Sequence, residues 1–138
     1  MKYFYYLLFF SLLAACENPT PNDLLPNTAV DITVNLNNPE FNNLLISGGW
    51  AYTAGGIKGI LLYNRNGTYV AFERACPHLA PSSCNAMTFD GLLLKCTCDN
   101  SVFNIFNGGV SETAGIDYSA REYHVQMINS ETLRITNF

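Results

Sequence analysis

Cys76, His78, Cys96 and Asp99 are the residues of this 138-residue chain whose types and spacing could do chemistry. Cys76-Pro77-His78 is one short box. After a seventeen-residue gap, 79 to 95, Cys96-Thr97-Cys98-Asp99-Asn100-Ser101 is a second. Two loops of this kind, joined by a strand pair, grip a small inorganic centre from two sides. Thiolate sulfur and imidazole nitrogen suit iron–sulfur centres and zinc. Pro77 stiffens the first loop by fixing its own φ. Zinc accepts Cys, His and carboxylate, so all four residues also make a mononuclear set. The Cys76–His78 spacing is shorter than most structural zinc pairs use. Without a metal, Cys76, Cys84, Cys96 and Cys98 are an even number of thiols, open to more than one disulfide pairing in an oxidising space. No Ser–His–Asp or paired-carboxylate spacing supports a hydrolase.

The elements that must position these boxes are short strands. Val30, Ile32, Val34 and Leu36 alternate with polar residues, the period of a half-buried strand. Asn37-Asn38-Pro39 is a turn. Trp50 to Tyr52 follows Gly48-Gly49 as a second strand, with Trp50 a core anchor. Ile57 to Tyr63 and Tyr69 to Arg74 flank Asn64-Arg65-Asn66-Gly67, a hairpin loop that delivers Cys76 at its far end. The sequon Asn66-Gly67-Thr68 reads as part of that turn. Between the boxes, Ala86 to Phe89 and Leu92 to Lys95 surround Asp90-Gly91, again a hairpin. Val102 to Phe106 follows, then a polar loop, Ser111 to Ala120. Glu122 to Ile128 and Thr132 to Thr136 close the domain around Asn129-Ser130, with His124 on the surface face. No long amphipathic helix is present. Such a series is an all-β antiparallel sandwich or barrel.

The paired boxes resemble the ligand boxes of the Rieske iron–sulfur family, C-x-H and C-x-x-H, in which each box gives one Cys to one iron and one His to the other. Cys76, His78 and Cys96 match, and Asp99 stands where the second His belongs. The resemblance implies a Rieske-like fold over 28–138, small antiparallel sheets with a cluster-binding insert. It also implies a 2Fe-2S cluster for single-electron transfer to a redox partner protein. Asp99 as an oxygen ligand would lower the potential. The resemblance further implies a Cys84–Cys98 bridge tying the loops, and Ser101 as a hydrogen-bond donor to a cluster sulfur. Phe103 stands where some members have Tyr. Asn100 replaces a Gly, and Asn tolerates left-handed backbone.

The chain start carries a second resemblance. Lys2, the apolar run Tyr3 to Ala15 and then Leu13-Ala14-Ala15-Cys16 resemble a bacterial lipoprotein signal (1–15) ending in a lipobox. Acylation of Cys16 would anchor the protein to a membrane without a spanning helix. The Pro-rich residues 16–27 read as a flexible tether. The implied location is the bacterial cell envelope. Apolar residues make up 49% and charged residues 13% of the chain, enough for a folded core. The net charge of -4 without a basic stripe excludes a nucleic-acid binder.

Two readings follow. One is a lipid-anchored Rieske-type carrier with Cys76, His78, Cys96 and Asp99 as ligands. The other is a clusterless protein of that fold, stapled by Cys76–Cys96 and Cys84–Cys98 and serving as a binding or structural surface protein. Export weighs toward the second, because this signal has no arginine pair for export of a folded, loaded protein. The ferredoxin component of a ring oxygenase fits less well, since those work in the cytoplasm.

Overall fold

The computed structural model describes residues 24–137. The signal segment 1–15 and Cys16 lie outside them. Among the described residues, ten strands form two antiparallel sheets. The larger sheet contains β1 (Asp31–Asn35), β2 (Trp50–Thr53), β3 (Ile60–Arg65), β4 (Thr68–Glu73), β9 (Glu122–Asn129) and β10 (Thr132–Thr136). Its order is β1-β10-β9-β4-β3-β2. The smaller sheet is β5 (Thr88–Phe89), β6 (Leu93–Lys95), β7 (Val102–Asn104) and β8 (Val110–Ser111), in that order. The all-β antiparallel class expected from the strand pattern is the one observed.

β3 and β4 sit inside the larger sheet and are buried on both faces, which explains their nearly continuous apolar runs. Leu61, Tyr63, Val70 and Phe72 face the smaller sheet, where they meet Phe89, Leu94, Phe103 and Ile105. Ile60, Leu62 and Ala71 face the other way, into a core with Val34, Leu36, Leu133 and Ile135. A 3-10 turn, Pro39–Leu45, covers that second core with Phe41 and Leu44. The sequence reading placed only a turn there. The β3–β4 hairpin turns on Asn66 (φ 52°) and Gly67 (φ 89°), both left-handed, as a tight two-residue hairpin requires.

Leu25 is already buried, and the Arg121 guanidinium donates to the carbonyls of Leu25 and Pro26 at 2.9 and 2.8 Å. Leu25 and Pro26, in the stretch 16–27 read as tether, therefore pack against the folded domain. β8 likewise falls partly inside the segment read as polar loop. Its single pair of residues carries too little pattern to register as a strand.

Candidate functional site

The end of β4 and the turns flanking β6 and β7 bring the two boxes together. Glu73, the last residue of β4, fixes the first. Its fully buried carboxylate accepts from the backbone amides of Ile57 (2.8 Å), Lys58 (2.9 Å) and Ala75 (2.9 Å) and from the Tyr123 hydroxyl (2.7 Å). Burial, with that carboxylate beside it, holds the Tyr123 hydroxyl well above the ordinary phenol range. Arg74 then stacks over the Tyr52 ring at 3.5 Å and donates to the Met87 carbonyl at 2.9 Å. Ala75 and Cys76 follow directly. Sequence reasoning missed this clasp. Its one signal was an acidic residue ending an apolar strand.

The second box is a tight turn between β6 and β7. The Asn100 amide donates to the Cys96 carbonyl at 3.1 Å, and the Cys96 amide to the Ser101 carbonyl at 2.8 Å. Asn100 has φ 63°, the left-handed backbone that its replacement of Gly led us to expect.

The structure joins Cys76 to Cys96 and Cys84 to Cys98, with Cα separations of 5.6 and 5.8 Å. These are the two pairings of the clusterless reading, and the second is the bridge the Rieske resemblance implies. The two disulfides touch. Cys84 Sγ lies 3.6 Å from Cys76 Sγ and 3.7 Å from Cys96 Sγ. Cys76 and Cys96 are buried (2% and 0% exposed), Cys84 nearly so at 9%, and Cys98 is open to solvent.

His78 and Asp99 meet beside the sulfurs. His78 Nε2 and Asp99 Oδ2 are 2.6 Å apart. The His78 ring leans on Phe103, centroids 5.9 Å apart, and its buried Nδ1 has no hydrogen-bond partner. Asp99 also accepts from the Ser101 amide (3.0 Å) and hydroxyl (2.7 Å). The Ser101 amide, the His78 ring and the Ser101 hydroxyl hold the Asp99 carboxyl down at about 2. The Ser101 hydroxyl is thus spent on Asp99, not on a sulfur.

A 2Fe-2S cluster places fixed demands on this donor set. One iron needs two thiolates, and here Cys76 and Cys96 are bonded to each other. The second iron needs two ligands free to turn inward, and here Asp99 is held by Ser101 and His78. In this covalent state the residues do not fit the cluster. Ligand atoms of His78, Cys96 and Asp99 do lie within 4.8 Å of one another, so the spacing brought the expected residues together. His124 is exposed on β9, at the larger sheet, as a surface histidine.

No protein-family model and no curated protein sequence matches the chain. Solved structures give weak likenesses. One is the ferredoxin of carbazole 1,9a-dioxygenase from Nocardioides aromaticivorans IC177. It is 13% identical, with a TM-score of 0.48 over 78% of this chain and 96% of that one. Another is a complex of reduced oxygenase and oxidized ferredoxin in carbazole 1,9a-dioxygenase. It is 16% identical, with a TM-score of 0.47 over 66% of this chain and 82% of that one. At such values no activity passes from these proteins to this chain.

Proposed function

We propose that this protein is a lipid-anchored, clusterless member of the Rieske-like class, stapled by two disulfides. On this reading it serves as a binding or structural module of the bacterial cell envelope. The observation that carries the reading is the bond between Cys76 and Cys96, which occupies both sulfurs an iron would need. Asp99 supports it, since its carboxylate is fully engaged by His78 and Ser101. The exported compartment that a lipidated Cys16 implies is where such disulfides persist. Among the described residues no helix is long and apolar enough to cross a membrane. Cys16→Ala should move the protein from the membrane fraction to the soluble one.

The deciding experiment is iron and acid-labile sulfide per chain, in protein taken from its native membrane without chelator or oxidant. We expect neither, together with no free thiol among Cys76, Cys84, Cys96 and Cys98 after unfolding. Roughly two irons and two sulfides per chain would sink the reading.

One observation favours the carrier alternative: the buried, unpartnered His78 Nδ1. In that case Cys76, His78, Cys96 and Asp99 would hold the cluster, which supplies single-electron transfer to a redox partner protein. The negative carboxylate would keep its potential low, and Asp99→His would raise it.

A further inference from the structure

We propose that the two touching disulfides form a thiol–disulfide relay, in which exposed Cys98 receives an incoming dithiol and Cys84 passes the exchange to the buried Cys76–Cys96 pair. This rests on the disulfide-bonded reading above. The geometry sets the order of events. Solvent reaches Cys98 but not Cys76 or Cys96, which are 2% and 0% exposed. Cys84 is the link, because it is bonded to the exposed sulfur and lies 3.6 Å from Cys76 Sγ and 3.7 Å from Cys96 Sγ. Two independent staples would have no need of sulfurs at van der Waals contact.

The chemistry is exchange by thiolate attack on a disulfide sulfur. A thiolate of the dithiol attacks Cys98 Sγ, the Cys84–Cys98 bond breaks, and Cys84 leaves as a thiolate. The second thiol of the reagent then attacks the mixed disulfide. Cys98 is released and takes up a proton, and the reagent departs as its own disulfide. The Thr97 hydroxyl, 3.4 Å from Cys84 Sγ, stands where it can donate to that thiolate. Cys84 is nearly equidistant from the two buried sulfurs. It must swing about its χ1 to come into line, which it can do once Cys98 no longer holds it. It attacks Cys76 Sγ, the Cys76–Cys96 bond breaks, and Cys96 leaves as a thiolate beside His78, whose ring nitrogen lies within 4.8 Å. The dithiol has lost two electrons and two protons; the protein holds both electrons and the proton on Cys98, and the other proton has gone to solvent, leaving Cys96 as the thiolate. One disulfide remains, now Cys76–Cys84. Run backwards, the same steps pass the two electrons from the protein thiols to a disulfide reagent and restore the Cys76–Cys96 and Cys84–Cys98 bonds.

The test is the rate at which dithiothreitol reduces the Cys76–Cys96 bond in the native protein, read by timed alkylation and peptide mapping. The comparison is the double variant Cys84→Ser/Cys98→Ser, which keeps the buried pair but lacks the relay sulfurs. We expect reduction of the buried pair to be about tenfold slower or more in the variant, since its sulfurs can then be reached only by opening the fold. Losing a staple makes opening easier, so a merely destabilised variant would react faster. Equal or faster reduction in the variant overturns the relay. A second measurement needs no reagent. Cys98→Ser alone leaves Cys84 free, and mapping of the folded protein should find Cys76–Cys84 alongside Cys76–Cys96. Cys76–Cys96 alone, with Cys84 entirely free, overturns it too. Iron and free thiols in the untreated protein would instead sink the clusterless reading, so the two failures are distinguishable.

Discussion

At the residue scale the telling pair is His78 and Asp99. Asp99 was conspicuous in the sequence as the residue that breaks a familiar box. That it would meet His78 at 2.6 Å, with Ser101 behind it, was not legible. Both contacts depend on where a left-handed turn at Asn100 sends the chain. The pair has a pH signature. The folded carboxyl is held at about 2, below its unfolded value of about 3.9. A depressed acid stabilises the fold above the unfolded value, and that contribution is lost as pH falls through the folded one. Asp99→Asn should therefore be less stable than the parent at neutral pH and nearly equal to it at pH ~2. Urea unfolding across this range checks it, and parallel curves would mean that Asp99 does not couple to folding. The side chain is substantially exposed, so solvent screening keeps the difference small.

At the element scale the organising feature is the Glu73 clasp. A carboxylate with four donors and no exposure is favourable only while every donor is met. Glu73→Gln turns one oxygen into an amide nitrogen facing N–H donors, and should cost about 3 kcal/mol or more. Tyr123→Phe removes a single hydrogen bond to a charged group and should cost about 1.5–3 kcal/mol. Denaturant unfolding of both variants checks the ranking, and a Tyr123→Phe effect as large as Glu73→Gln would contradict it. Gly56 tightens the same knot. Its φ is 61°, and a Cβ there would run into Glu73 Oε2 and the Tyr123 hydroxyl. These contacts explain what the sequence did and did not disclose about the elements. Hairpins such as Asn66-Gly67 and Asp90-Gly91 are announced by local chemistry, and β10 was legible residue for residue. The Pro39–Leu45 turn was not, because its apolar Phe41 and Leu44 fit no strand period and only the curled sheet they cover gives them a purpose.

At the scale of the whole molecule, two cores lie on opposite faces of β3 and β4, and the disulfides sit at one end of only one of them. Cys76, Cys84 and Cys96 belong to the core between the sheets, beside Met87, Leu94 and Phe103. The second core, around Leu36, Leu62 and Leu133, contains no sulfur bridge. The staples close loops of 20 and 14 residues, each stabilising by about 3 kcal/mol from loop entropy. The loops overlap, from 76 to 96 and from 84 to 98, so closing one already restricts the other and the two terms do not simply add. The smaller sheet has strands of only two or three residues, too short to hold together by pairing alone. The larger sheet is tied at its edge by β1 pairing with β10 over five residues. Full reduction should therefore loosen the molecule unevenly. In hydrogen exchange on the dithiol-treated protein, amides of β5 to β8 should lose protection first, while β3, β4, β9 and β10 keep theirs. Uniform loss across both sheets would mean one cooperative unit, in which the staples stabilise the whole fold and not the site. An uneven response would make the box-bearing end a separately openable part, able to expose its sulfurs while the larger sheet stays folded.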